Sequence, residues 1–164
     1  MSAVREIPLS RGLVAFVDEI DYERVVAVGK WYANPSGTTF YARKNYRRGG
    51  RYFSIRMHTL ITGLPYVDHA NGNGLDNRRS NLRLATDTQN AQNRGLRSDN
   101  SSGFKGVSWD KQRQAWVAYI SDGLGQRRLG RYSDRVEAAR AYDAAAIHLF
   151  GAFARLNFPQ EKAT

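Results

Sequence analysis

Over the first 55 residues, short apolar and aromatic runs are punctuated by Gly, Pro, Ser and Asn. Ile7-Pro8-Leu9, Leu13–Val17, Trp31-Tyr32-Ala33, Thr39–Ala42 and Tyr52–Ile55 read as strands, with a short helix over Asp21–Val28. The pattern predicts an antiparallel β region. Met57–Ile61 reads as a second short helix or turn, carrying His58. From Tyr66 the texture becomes a polar stretch dense in Asn, Asp and Arg, too polar for a core. Leu82, Leu84 and Thr86 alternate with Arg83 and Ala85 as a short half-buried strand. Thr86-Asp87-Thr88-Gln89 has the spacing of a capping box and predicts a helix from Asp87 to about Arg94.

Gly95–Gly103 is small and polar, the composition of a linker, and the pattern resets beyond it. Phe104–Trp109, Ala115–Ile120 and Gln126–Tyr132 read as three strands joined by turns rich in Asp, Gly and Lys. A helix follows over Arg135–Phe150, capped by Ser133 or Asp134 with Glu137 completing a box, and stopped by Gly151. Ala138, Tyr142, Ala145 and Leu149 mark its apolar face.

Composition narrows the function. The chain has 164 residues, 25 Lys+Arg against 15 Asp+Glu, and a formal net charge of +10. The excess is +4 over residues 1–52, +2 over 53–95 and +4 over 96–164, so it is spread rather than parked in a tail. That favours several segments meeting one extended polyanion, with nucleic acid the foremost candidate and colloidal solubility the bland alternative. One concentration stands out, Arg43-Lys44-Asn45-Tyr46-Arg47-Arg48-Gly49-Gly50-Arg51, whose glycines suggest a hairpin tip. Cys is absent, which excludes disulfides, thiolate zinc sites and cysteine nucleophiles. No run of about 18 apolar residues exists to span a membrane, and Met1–Glu6 lacks the apolar core of an export signal. The expectation is a cytoplasmic protein with no membrane partner.

Asp68-His69-Ala70-Asn71-Gly72-Asn73, followed by Asp76–Thr86 and then by Asn90 on the expected helix, resembles the HNH endonuclease family in its phage and homing branch. The resemblance covers about 40 residues. It implies a ββα-metal fold over about 66–94, with Asp68 and Asn90 as metal ligands, His69 as general base and Asn81 stabilising the loop that orients it. Residue chemistry agrees. Phosphodiester hydrolysis needs an activated water and a sink for developing negative charge. A carboxylate and an amide carbonyl are hard oxygen donors that suit magnesium, or manganese. Imidazole titrates in the range a general base requires. Adjacent strand residues face opposite ways, so aiming both Asp68 and His69 inward calls for a break in regular geometry at the following Asn-Gly. Asn77 and Arg83 are further candidates for bracing or phosphate contact, Asn71 and Asn73 read as turn formers, and His58 reads as structural or phosphate-facing.

Residues 102–158 resemble the AP-two/ethylene-response-factor DNA-binding domain, through Gly103–Val107, Trp116–Ile120, Leu129–Tyr132, Glu137–Ala146 and Leu156–Pro159. Such domains lay a three-stranded sheet in the major groove with a helix behind it. Alternation then turns Trp116, Ala118 and Ile120 inward and Val117, Tyr119 and Ser121 toward DNA, with Gln126, Arg128, Lys105 and Arg113 as further groove candidates.

The sequence therefore predicts an α+β protein: an N-terminal antiparallel β region leading into a ββα-metal HNH unit (1–95), a linker (96–102), and a three-stranded antiparallel sheet packed on one helix (103–159). The expected activity is metal-dependent cleavage of double-stranded DNA by a monomer, with no small-molecule substrate. DNA contacts are expected from Arg43, Lys44, Arg47, Arg48, Arg83, Lys105, Arg113, Tyr119, Gln126 and Arg128. The rival is a non-catalytic DNA-binding regulator, against which Asp68, His69, Asn81 and Asn90 together argue. RNA binding has no single-strand platform motif to support it.

Overall fold

A computed structural model describes residues 3–159. Met1 and Ser2, the start of the segment read for an export signal, lie outside the described residues. The chain divides into two compact units, residues 1–86 and 87–164. It is mixed α and β, built from small antiparallel sheets and a few helices. Among the described residues no helix is long and apolar enough to cross a membrane.

The first unit opens with a hairpin of β1 (Val4–Pro8) and β2 (Val14–Asp18), followed by α1 (Glu19–Ala27). A three-stranded meander follows: β3 (Tyr32–Ser36), β4 (Thr39–Arg48) and β5 (Arg51–Arg56). Then come α2 (Met57–Thr62) and the short pair β6 (Val67–His69) and β7 (Leu82–Leu84). Ile7, Val17, Val25, Trp31, Met57 and Ile61 are buried in one core, and the Trp31 indole donates to the Val25 carbonyl at 2.9 Å. Leu75 belongs to the same core although it sits in the polar stretch. It is drawn in because that loop pairs with the edge of β2. Phe16 N donates to Leu75 O at 2.9 Å, and Asn77 N donates to Phe16 O at 2.7 Å. Gly74 permits a second approach, since a side-chain carbon there would lie 2.5 Å from Phe40 O and 2.7 Å from the Tyr41 ring.

The second unit begins with α3 (Asp87–Gln92) and continues with β8 (Val107–Asp110), β9 (Ala115–Ser121) and β10 (Gln126–Tyr132), ordered β10-β9-β8, then α4 (Arg135–Phe150). Asp134 caps α4 by accepting from Val136 N and Glu137 N at 2.7 and 3.0 Å. Gly151 ends it with φ of 51°. Trp116, Ala118 and Ile120 pack toward α4 as alternation requires. The helix stripe differs from the expected one. Ala138, Tyr142, Ala146 and Phe150 are buried, while Leu149 is 38% exposed. The buried row advances by four residues at each step and so winds slowly round the helix, whereas the expected row took one step of three, to Ala145, and ended at the exposed Leu149. Gly106, at φ of 75°, is required because a Cβ would overlap the Tyr142 ring.

Candidate active site

The polar stretch is held by its own amides. Asn81 donates from Nδ2 to Asp76 O at 2.8 Å and accepts from Asn71 N at 3.0 Å, while Ala70 N donates to Asn81 O at 2.9 Å. Asn71 and Asn73 accept from the amides two residues on, at 2.8 and 3.1 Å, closing successive side-chain turns. Asp76 accepts from the Arg78 guanidinium at 2.7 and 2.6 Å and from Asn71 Nδ2 at 2.9 Å. The Arg78 bonds, foremost, hold its carboxyl below the usual range.

His69 lies on β6 opposite Leu82, with Asp68 opposite Arg83. The ladder stays regular through both residues, so the break expected at Asn-Gly is not what places them. Arg83, the cross-strand partner of Asp68, brings Nε and Nη2 to its Oδ2 at 2.9 and 2.6 Å. His69 instead packs edge-on to Tyr41 and His58, with ring centroids 5.4 and 5.0 Å away. Its Nε2 faces Asn77 Oδ1 at 3.4 Å. Asn77 is fully buried and donates from Nδ2 to Leu75 O at 3.1 Å, which fixes its amide with the oxygen toward the ring. Nε2 therefore carries the hydrogen in the neutral imidazole, and the lone pair resides on Nδ1.

Both histidines are buried, His58 at 2% and His69 at 3% exposure. Burial, the larger cause, lowers the affinity of His58 for a proton to a pKa of about 3, and the charges of His69 and Arg56 act in the same sense. Burial likewise lowers His69, against the raising effects of Asn77 and Asp68. At neutral pH both rings are uncharged, the form in which an imidazole can accept a proton. A stability prediction follows. Below the ordinary value of 6.5, the unfolded chain takes up a proton at His58 that the folded one does not. Stability is thus present above pH 6.5 and declines on acidification toward 3. The expected loss from this residue is about 2 kcal/mol by pH 5. Urea melts at pH 7 and 5 should show it, and His58→Gln should flatten the difference.

Of the other expected site residues, Arg47 and Arg48 are exposed on β4, while Arg43 and Lys44 are half-buried there. Arg43 Nη2 donates to Ser54 Oγ at 2.7 Å. Asn90 lies on α3 in the second unit. Lys105, expected on the groove face, turns its ammonium to the end of α3, donating to Gln92 O and Arg94 O at 2.5 and 2.7 Å. Burial lowers its pKa to about 8. The Lys105 amide and carbonyl are in turn held by the Asn157 side chain at 2.7 and 3.1 Å. Val117, expected to face DNA, is buried, and Tyr119 and Ser121 line a cavity of about 640 Å³ shared with Lys105, Gln126 and α3. Arg113 bonds Asp110 at 3.4 Å, and Gln126 and Arg128 are exposed on β10.

The donors suit a hard divalent cation. Asp68 offers a carboxylate, and among the described residues no three His, Cys, Asp or Glu side chains form a closed cage. Magnesium needs none, since it keeps several waters and takes one or two carboxylates alongside phosphate oxygens. The grouping of Tyr41, His58 and Asn77 around His69 is what sequence reasoning missed as a set. Only His58 and Asn77 carried a signal, each as a polar residue near the motif.

His69 and Asp68 thus hold successive positions of β6 with different partners, the imidazole among Tyr41, His58 and Asn77 and the carboxylate on Arg83. Comparison with known proteins assigns the class. Residues 63–92 match the family described as HNH endonuclease. An uncharacterized HNH endonuclease of Acanthamoeba polyphaga mimivirus is 33% identical over 152 residues, covering 90% of this chain and 76% of that protein. Protein 3.8 of Escherichia phage T7 is 36% identical over 90 residues, 55% of this chain and 74% of that one. An ethylene-responsive transcription factor of Arabidopsis thaliana is 46% identical over 62 residues, 35% of this chain and 32% of that protein. The chain belongs to the HNH endonuclease family.

Proposed function

We propose that the protein hydrolyses phosphodiester bonds of double-stranded DNA in a divalent-metal-dependent reaction, in the cytoplasm of an infected or host cell. The observation that carries this is the seating of a buried His69 among Tyr41, His58 and Asn77, within the segment matching the HNH family. His69 acts as general base, its ring fixed by Asn77 and wedged between Tyr41 and His58. Asn81 braces the loop of residues 70–76 that carries the chain from β6 to Asn77. Asp68 would hold magnesium, with Asn90 as second oxygen donor on the family resemblance, in a ββα-metal unit over 66–94, and the bound cation would supply the charge sink for the developing oxyanion. Arg83 neutralises and orients the Asp68 carboxylate and brings a cation to where phosphate arrives.

The C-terminal module, over 103–159 after a linker at 96–102, positions the DNA as an AP-two/ethylene-response-factor-like domain. The short likeness to the plant factor supports that reading. Arg113, Tyr119, Gln126 and Arg128 are its contacts. Lys105 is left out, because its ammonium is engaged by α3.

Purified protein incubated with supercoiled plasmid should convert it to open-circular or linear form with magnesium, and leave it intact with EDTA. Band shifts without cleavage across several plasmids and metals would favour the non-catalytic regulator.

A further inference from the structure

Beyond its root in the three-stranded meander, the β4–β5 hairpin continues as a two-stranded arm. Every residue from Asn45 to Ser54 is exposed, on both strands and therefore on both faces. The strands pair in register from Arg43–Arg56 to Arg48–Arg51, and Gly49-Gly50, with φ of 55° and 78°, closes the tip as a two-residue turn. A bare two-stranded ribbon is marginal in water. This one is stapled on each face: Tyr46 stacks on Phe53 at 5.6 Å and 19°, and the Arg47 guanidinium lies over Tyr52 at 5.5 Å.

Its charge is one-signed and two-sided. Residues 39–56 contain six Lys and Arg and no Asp or Glu. Register puts Lys44, Arg48 and Arg51 on one face and Arg43, Arg47 and Arg56 on the other. A ribbon lying flat on a polyanion needs cations on one face only. A ribbon inside a groove meets a phosphate wall on each side. The major groove of B-DNA, about 12 Å wide, admits a two-stranded ribbon as it stands, whereas the minor groove, about 6 Å wide, must first be opened by bending the duplex.

We infer that the β4–β5 hairpin is a DNA-reading arm that enters the major groove, with Arg47, Arg48 and Arg51 on the phosphates flanking it. The inference rests on duplex DNA being the substrate and requires no particular chemistry of cleavage. Binding is therefore measured in EDTA, on a short duplex, as a function of salt. The full chain carrying Arg47→Ser, Arg48→Ser and Arg51→Ser should lower the slope of log K against log salt by about 2.7, at about 0.9 per phosphate contact. The matching Arg→Lys triple should restore it. On a duplex whose major groove is filled by glucosylated hydroxymethylcytosine, wild type and the serine triple should bind alike. These side chains are exposed, and an unchanged far-UV circular dichroism spectrum checks that the fold persists. A wild-type slope in the serine triple would overturn the arm as a phosphate contact. An equally large difference on the filled duplex would overturn its place in the major groove. A protein that binds as expected but never cleaves would leave this inference standing and defeat the nuclease reading instead.

Discussion

Replacing His69 by alanine is expected to lower plasmid cleavage by about 10²–10⁴-fold, the usual contribution of a positioned base, while DNA affinity stays within about twofold. The expectation rests on where the ring sits. His69 is 3% exposed, so its removal takes away no surface that a duplex could touch. Its electronic state is set locally: burial keeps the ring neutral, and Asn77 fixes the tautomer. Because burial lowers the proton affinity of the ring, the wild-type rate should persist further into acid than an ordinary histidine base would allow. Asn77→Ala should reproduce part of the defect, because the ring would then lose the acceptor that selects Nε2–H. Nicking assays beside band shifts in EDTA separate the two quantities. Cleavage by His69→Ala within tenfold of wild type would remove this residue as the base.

The helix with strong signals at both ends was the most legible part of the fold. Helix α4 spans Arg135–Phe150 as expected, because Asp134 and Gly151 act locally and leave little for distant packing to alter. Strand β4 runs on to Arg48, well past the aromatic run that announced it, because Gly49-Gly50 lets the basic segment fold back and pair with β5. The motif around Asp68 and His69 was readable as residue types at fixed spacing. The surroundings of His69 were not. Tyr41, His58 and His69 come from β4, α2 and β6, and only the close approach allowed by Gly74 and the pairing of residues 75–77 with β2 gathers them. Lys105 shows the limit of alternation as a guide. It precedes β8, which begins at Val107, so no ladder fixes its direction, and the free carbonyls ending α3 decide it.

Arg79→Ala is expected to cost about 3 kcal/mol, because it strands a charge inside the first unit. Arg79 approaches Asp21 through Nε and Nη2 at 2.7 and 2.8 Å, a bidentate pair, and Nη2 also reaches Ile61 O at 3.4 Å. The pair is asymmetric: the Arg79 side chain is 52% exposed and that of Asp21 is 3% exposed. An exposed pair would be worth little. Here the loss is dominated by the carboxylate left behind, since water entering after truncation replaces the guanidinium fork only in part. Arg79→Lys should recover only part, as a single ammonium cannot reproduce two parallel bonds. Asp21→Asn in the Arg79→Ala background should recover more, because the buried charge is then gone, and the coupling between the two positions can be read from a double-mutant cycle of urea melts. Additive effects would show that the pair carries no such energy. The consequence reaches the candidate site through the backbone. The Arg79 amide is held by Asp18 Oδ2 at 2.7 Å, and Arg79 opens the single 3-10 turn that delivers Asn81 to the loop it braces. With the guanidinium removed, α1 and α2 lose their tie to that turn. Cleavage should then fall by more than the folded fraction alone accounts for, while His69 itself is untouched.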